Sequence, residues 1–289
     1  MNLTIFLIRV NNLNFLYSII DLLPFEFTNY IFMKNAIIAV LLVTPILGLL
    51  GTMIVNNKMS FFSDSLGHSA LTGIGIGVLL GIPNTDVSMV LFAMFFAVFI
   101  ILIKYSFKTS MDTTIGVFSS TAVALGIVML SGGNFNKYSN IFIGDILSIS
   151  QFEITMLFVL CAVVISVWCI MFNSLLVTSV SHTFATSRGI SSKLTDIIFT
   201  VLIAFVVTVC IKWVGLLIIN SLFVLPAAAA RMVSDNVKKY TAISVTISTI
   251  CGALGLITSY YLNTSAGATI ALYCAFVYFA IFLLRVLKY

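Results

Sequence analysis

What most constrains this chain is that apolar runs long enough to cross a bilayer recur from one end to the other. Nine can be read in its 289 residues, at about 34–56, 64–80, 86–104, 113–131, 152–172, 194–212, 214–231, 240–262 and 266–286. The hydrocarbon core is about 30 Å thick and a helix rises about 1.5 Å per residue, so roughly 20 apolar residues suffice to span it. Within that core only helices and closed barrels satisfy every backbone polar group. The expected fold is all-α: a polytopic transmembrane helical bundle of about nine spans, or eight if the 194–231 region is divided differently. Composition agrees, with 8% charged residues and a mean hydropathy of +1.20.

Two segments break the pattern. "NIFIGDILSIS", Asn140 to Ser150, is too short to span and carries Asp145. It is expected as a re-entrant or interfacial segment, because irregular backbone survives at membrane depth only where protein or water covers it. "NSLLVTSVSHTFATSRGISSKLTD", Asn173 to Asp196, is far more polar than its flanks. It reads as a cytoplasmic helix-turn-helix offering a surface to a soluble protein, with His182 solvated and given no chemistry. Residues 1–30 read as an N-terminal interfacial lead, with "LLPFEF" (Leu22 to Phe27) as its anchor; no basic residue precedes its apolar run and no small-residue cleavage site follows, so it is not expected to be a signal peptide.

Lys and Arg set the orientation. With the N-terminus outside, the inner side holds Lys58, Lys104, Lys108, Arg188, Lys193, Arg231, Lys238, Lys239, Arg285 and Lys288, and the outer side holds Arg9, Lys34, Lys137 and Lys212. Ten against four favours N-terminus out and C-terminus in. These charges sit at segment ends and form no basic patch, so nucleic acid is not implied. The five cysteines lie scattered in apolar segments without ligand spacing and read as helix packing. No GxxxxGK[ST] loop occurs, so a nucleotide is not bound in that way.

Chemistry concentrates in "SFFSDSLGHSALTGIGIGVLLG", Ser60 to Gly81. Asp64 and His68 are four residues apart, one helical turn, and share a face. A carboxylate and an imidazole are a common beginning of a site for a divalent first-row metal, and ionisable groups inside membranes usually mark a pathway. The alternative is structural: Asp64 follows Ser63 at a helix start, where a carboxylate answers free N–H groups, and His68 bonds a neighbouring span. Spacing alone does not choose between them. Gly73, Gly77 and Gly81 recur every four residues and are expected to strip one helix face for close packing. Asn220 and Ser221 precede Pro226, which is expected to interrupt its span; they read as interhelical hydrogen-bonding groups, with path lining as the alternative. Asp112 reads as an N-cap.

Further motifs complete the pattern. "MSFFSDSLGHSALTGIGIG", "DTTIGVFSSTAVALGIVML", "IFIGDIL", "VGLLIINSLFVLPAAAARMVSDN" and "GLITSYYLNTSAGATIAL" occur in this order. Together they resemble the signatures of the membrane permeases of ABC-type zinc, manganese and iron importers, over about Leu22 to Arg285. The resemblance makes residues 31–289 a transmembrane permease domain in a bacterial cytoplasmic membrane. It implies a transporter subunit and not an enzyme, with no permanently bound cofactor and a divalent metal ion as cargo. Its implied partners are a cytoplasmic ATPase, an extracytoplasmic metal-binding protein and a second permease copy, with lipid around them. It places the metal path on Asp64 and His68, from both copies, and the ATPase-coupling helix on "ATSRG", with Ala185, Arg188 and Gly189; Ser181 stands where that family often has an acidic residue. Permeases of the vitamin B12 and iron-siderophore importers share the general architecture and are the rival expectation, one that does not need the Asp–His pair.

Overall fold

The computed structural model describes residues 15–22, 25–107, 110–131, 138 and 140–287. Among these, nine helices have eighteen residues or more: α1 (Ile31–Asn56), α2 (Phe62–Leu79), α3 (Thr85–Phe107), α4 (Met111–Leu130), α6 (Gln151–Val180), α8 (Ser192–Val214), α9 (Leu216–Val233), α10 (Val237–Leu262) and α11 (Ala266–Val286). Among the shorter helices are α5 (Asn140–Ile143) and α7 (His182–Ser187). Each of the nine expected spans has its helix. Among the described residues seven qualify by length and composition as membrane-crossing helices; α2 is less apolar, and α9 is counted as apolar over the shorter stretch Ile218–Val233. These last two are the helices that carry Asp64, His68, Asn220 and Ser221.

Small residues let these helices approach. Along α10, Ser244 and Ser248 donate to the carbonyls of Gly48 and Thr44 on α1 at 2.7 and 2.6 Å, and the Tyr240 hydroxyl reaches Thr52 O at 3.2 Å. Hydroxyl-to-carbonyl bonds of this kind hold helices together where no water competes. On the other side of the molecule α2 is wrapped by α3, α4, α8 and α9. A Cβ at Gly73 would lie 2.7 Å from Met89 Cα, one at Gly77 would overlap Ser88 Oγ, and one at Gly126 of α4 would lie 2.9 Å from Thr72 N.

Gly81 does not share that stripe. It lies beyond the end of α2 at φ +66°, and nothing stands within 4 Å of where its Cβ would be. Its N–H bonds to Val78 O and the Ile82 N–H to Gly77 O, which is the pattern of a helix stopped by a left-handed glycine. Pro226 likewise departs from expectation, because α9 runs through it to Val233. A proline removes one intrahelical bond, yet helices in membranes keep such residues where neighbours pack closely. Here Gly51 of α1 presses on the backbone of Phe223, one turn earlier, where a Cβ would overlap the carbonyl. Ser110, not Asp112, is the N-cap of α4; its hydroxyl accepts from Thr113 N–H at 3.2 Å.

Helix α6 continues eight residues past the expected limit of 172 and ends where Ser181 turns extended. The segment before α6 is irregular, as its length requires. After α5 comes Gly144 at φ +72°, then Asp145, whose N–H donates to Lys212 O at 3.1 Å. Gly144 lies against the joint between α8 and α9, which is the single residue Gly215 at φ +93°. A Cβ on either glycine would overlap the other segment's backbone. Two chain segments therefore cross with no side chain between them. Of the N-terminal lead, residues 1–14 and two positions of "LLPFEF" (23 and 24) lie outside the described residues, as do Arg9, Lys108, Lys137 and Lys288. Of the described lead, Phe27 is buried against Tyr260 and Tyr261 of α10, whereas Phe15, Leu22 and Phe25 are exposed.

Candidate functional site

Helix α2 presents most of its surface to other helices. Phe62, Ser63, Ser65, Leu66, Gly67 and Ser69 are buried, whereas Phe61, Asp64 and His68 remain accessible. The fold thus leaves one stripe of a wrapped helix open, and the two ionisable residues lie on it. Phe61, at the N-cap of α2, makes no side-chain cap bond, and Asp64 stands in the first turn of the helix. The Ser63 hydroxyl donates to Asn220 Oδ1 at 2.5 Å and ties α2 to α9.

His68 Nε2 and Asp64 Oδ2 are 3.5 Å apart, with side chains 24% and 37% exposed. That separation is long for a hydrogen bond. It suits two ligands of one divalent ion, because metal–ligand bonds of about 2.1 Å at a tetrahedral angle place the donor atoms about 3.4 Å apart. His68 Nδ1 and Ser65 Oγ are buried with no hydrogen-bond partner among the described residues. Buried polar atoms are nearly always paired, so the fold leaves unanswered groups beside the pair. No group of three or more His, Cys, Asp or Glu side chains converges anywhere among the described residues. One chain brings a single carboxylate and a single imidazole to this point.

Asn220 makes the interhelical bond expected of it, and Ser221 is half-buried on the same helix. Replacing Asn220 by Leu should leave the buried Ser63 hydroxyl unpaired and cost about 1–3 kcal/mol, read as a lower unfolding temperature of the purified chain in detergent.

The second candidate region is α7. Ser181 caps it, its hydroxyl accepting from Phe184 N–H at 3.3 Å, so a serine does the work an acidic residue could do at that position. The helix stops at Gly189, φ +75°, with Gly189 N–H on Thr186 O and Ile190 N–H on Ala185 O. Ala185 is fully buried and seats the helix, while Phe184 and Arg188 are exposed, the guanidinium 4.7 Å from the ring centre. His182 is exposed, as its polar surroundings suggest.

A cluster that the sequence reading did not pick out lies beside α7. Asp196 of α8 is buried and binds Lys104 and Tyr105 of α3. Lys104 and Asp196 are 92 positions apart, and no local spacing signals that they meet.

Comparison with known proteins bears on all of this. The sequence model described as the ABC 3 transport family matches residues 29–285. The chain is 31% identical over 247 residues, 84% of its length and 94% of the relative's, to the "High-affinity zinc uptake system membrane protein ZnuB" of Buchnera aphidicola subsp. Baizongia pistaciae. It is 27% identical over 242 residues to the "Manganese import system permease protein ScaB" of Streptococcus parasanguinis, covering 83% of this chain and 86% of that one. Among solved structures, PsaBC from Streptococcus pneumoniae in complex with Fab matches with a TM-score of 0.76 at 26% identity, over 90% of this chain and 92% of that one.

Proposed function

Because the chain belongs to the ABC 3 transport family, we propose that it carries zinc or manganese across the bacterial cytoplasmic membrane as the permease subunit of an ABC importer. It is a multi-pass membrane subunit and not an enzyme; ATP is hydrolysed by a separate subunit, and a binding protein delivers the ion. Relatives named for zinc and for manganese motivate the choice of cargo, and iron, expected from the sequence, drops out of it. The observation that carries the reading to particular residues is the Asp64–His68 pair on the open stripe of α2.

In this reading the assembly contains two copies of the chain. Asp64 and His68 from each supply four ligands to an ion held on the path between them, which suits a cargo that must be released as well as bound. Asn220 and Ser221 border the path. Helix α7, with Ala185 as its seat, Arg188 exposed and Gly189 as its stop, docks on the ATPase. The N-terminus is outside and the C-terminus inside, supported by the distribution of Lys and Arg.

The test is accumulation of zinc, manganese and iron in cells expressing the chain with its ATPase and binding protein, against cells lacking only this chain. The expected result is dependence of zinc or manganese, and not iron, on the chain. Equal accumulation of all metals with and without it would remove the transport assignment.

A further inference from the structure

The cluster beside α7 plays no part in the ion path, yet it joins three elements at one end of the bundle. The Asp196 carboxylate, 4% exposed near the start of α8, accepts from Lys104 Nζ at 2.9 Å and from the Tyr105 hydroxyl at 3.0 Å. Tyr105 also stands against His182, the first residue of α7: its hydroxyl is 3.4 Å from Nδ1 and the rings meet edge to face at 6.1 Å. Ser192 Oγ donates to the backbone carbonyl of His182 at 3.4 Å. Around these contacts lies an open cleft of about 650 Å³ lined by Tyr105, His182, Thr186, Gly189, Ile190 and Lys193. Helix α7 therefore stands off from α3 except where Tyr105 bridges to it.

A buried ion pair contributes little to stability compared with apolar residues of the same volume, and its best-attested use is to fix a register. The register fixed here is that of α3 against α8 and α7. Helix α3 is also the one that presses Ser88 and Met89 onto Gly77 and Gly73 of α2. Met89 Cα and the Ser88 side chain lie against these glycines with no room between, so a shift of α3 toward α2 is transmitted to α2. Contiguous packing thus runs from α7 through Tyr105 and α3 to the helix bearing Asp64 and His68.

We propose that Lys104, Tyr105 and Asp196 form the joint that converts movement of α7 into movement of the ion site, so that they are positioning residues for coupled transport. This rests on the reading of α7 as the ATPase-docking element. The experiment uses the full complex in liposomes and reads three quantities: ATPase subunit retained by the chain, ATP hydrolysed, and metal delivered per ATP. Two variants are compared with wild type, Tyr105→Phe and the volume-conserving Lys104→Met with Asp196→Leu. Both should retain the ATPase and continue to hydrolyse ATP, while metal delivered per ATP falls about tenfold in the double variant, as for loss of a typical coupling between sites, and by less in Tyr105→Phe. A ratio unchanged from wild type overturns the proposal, including the case in which delivery and hydrolysis fall together as for simple structural damage. If the double variant does not fold, the ratio in Tyr105→Phe decides alone. Failure of the wild-type chain to retain the ATPase subunit would instead overturn the docking role of α7, and the joint with it.

Discussion

Replacing His68 by Ala is expected to lower metal accumulation about 100-fold or more while leaving the amount of folded chain in the membrane unchanged. The size follows from what is lost. Even groups that only orient a metal ligand are worth 10–100-fold, and His68, 3.5 Å from Asp64 Oδ2, is proposed to be a ligand itself. The insensitivity of the fold follows from exposure and bonding. His68 is about a quarter exposed and its Nδ1 has no partner among the described residues, so truncation removes no hydrogen bond there. Asp64→Asn should behave alike, because the amide keeps the shape and one acceptor but not the charge that a divalent ion requires. Accumulation is measured per unit of chain at the membrane. Full uptake by both variants would return the pair to the internal packing of α2. It would also favour a path of the vitamin B12 or siderophore kind, which does not need these residues.

The second large effect concerns folding. Gly215→Ala should cost about 5 kcal/mol or more, the range reserved for changes with a defined structural mechanism. Two penalties act at once. Gly215 has φ +93°, where a side chain is strained, and its Cβ would overlap the backbone of Ile143. No rotamer change relieves a clash with backbone. Gly144→Ala should act similarly from the other side. The control is Gly116→Ala on the exposed face of α4, where nothing stands within 4 Å and the backbone is helical. That change should be neutral or stabilising by up to about 1 kcal/mol. Gel filtration of detergent extracts separates the outcomes; a normal monodisperse yield of Gly215→Ala would show that the crossing can open.

Local pattern carried much of this far. Each apolar run became a helix, and the one-turn spacing of Asp64 and His68 did bring their side chains together. Where the reading missed, the cause lies in signals with two meanings. Gly81 continues a four-residue repeat that ordinarily means packing, but the same residue type stops helices, and only the backbone distinguishes the two uses. The polar stretch after residue 172 looked like the start of a hairpin because hydropathy reports on lipid and not on helicity; α6 simply runs on until Ser181. Pro226 loosens a helix without ending it when neighbours hold the turn. Other features lay beyond any local reading. "IFIGDIL" and "VGLLIIN" each showed a glycine, but nothing in either says that Gly144 and Gly215 touch. Lys104 entered only as a positive charge on the inner side, and its partner Asp196 stands far along the chain.

The open stripe of α2 has a consequence for how such a permease changes over time. Asp64 and His68 lie on a surface of the single chain, while the residues that hold α2 in place, such as Ser63, Leu66 and Gly73, face inward. Ligand choice and fold are thus written on opposite sides of one helix. Under the proposed assignment, a substitution at Asp64 or His68 changes the groups offered to the ion without repacking the buried face beneath.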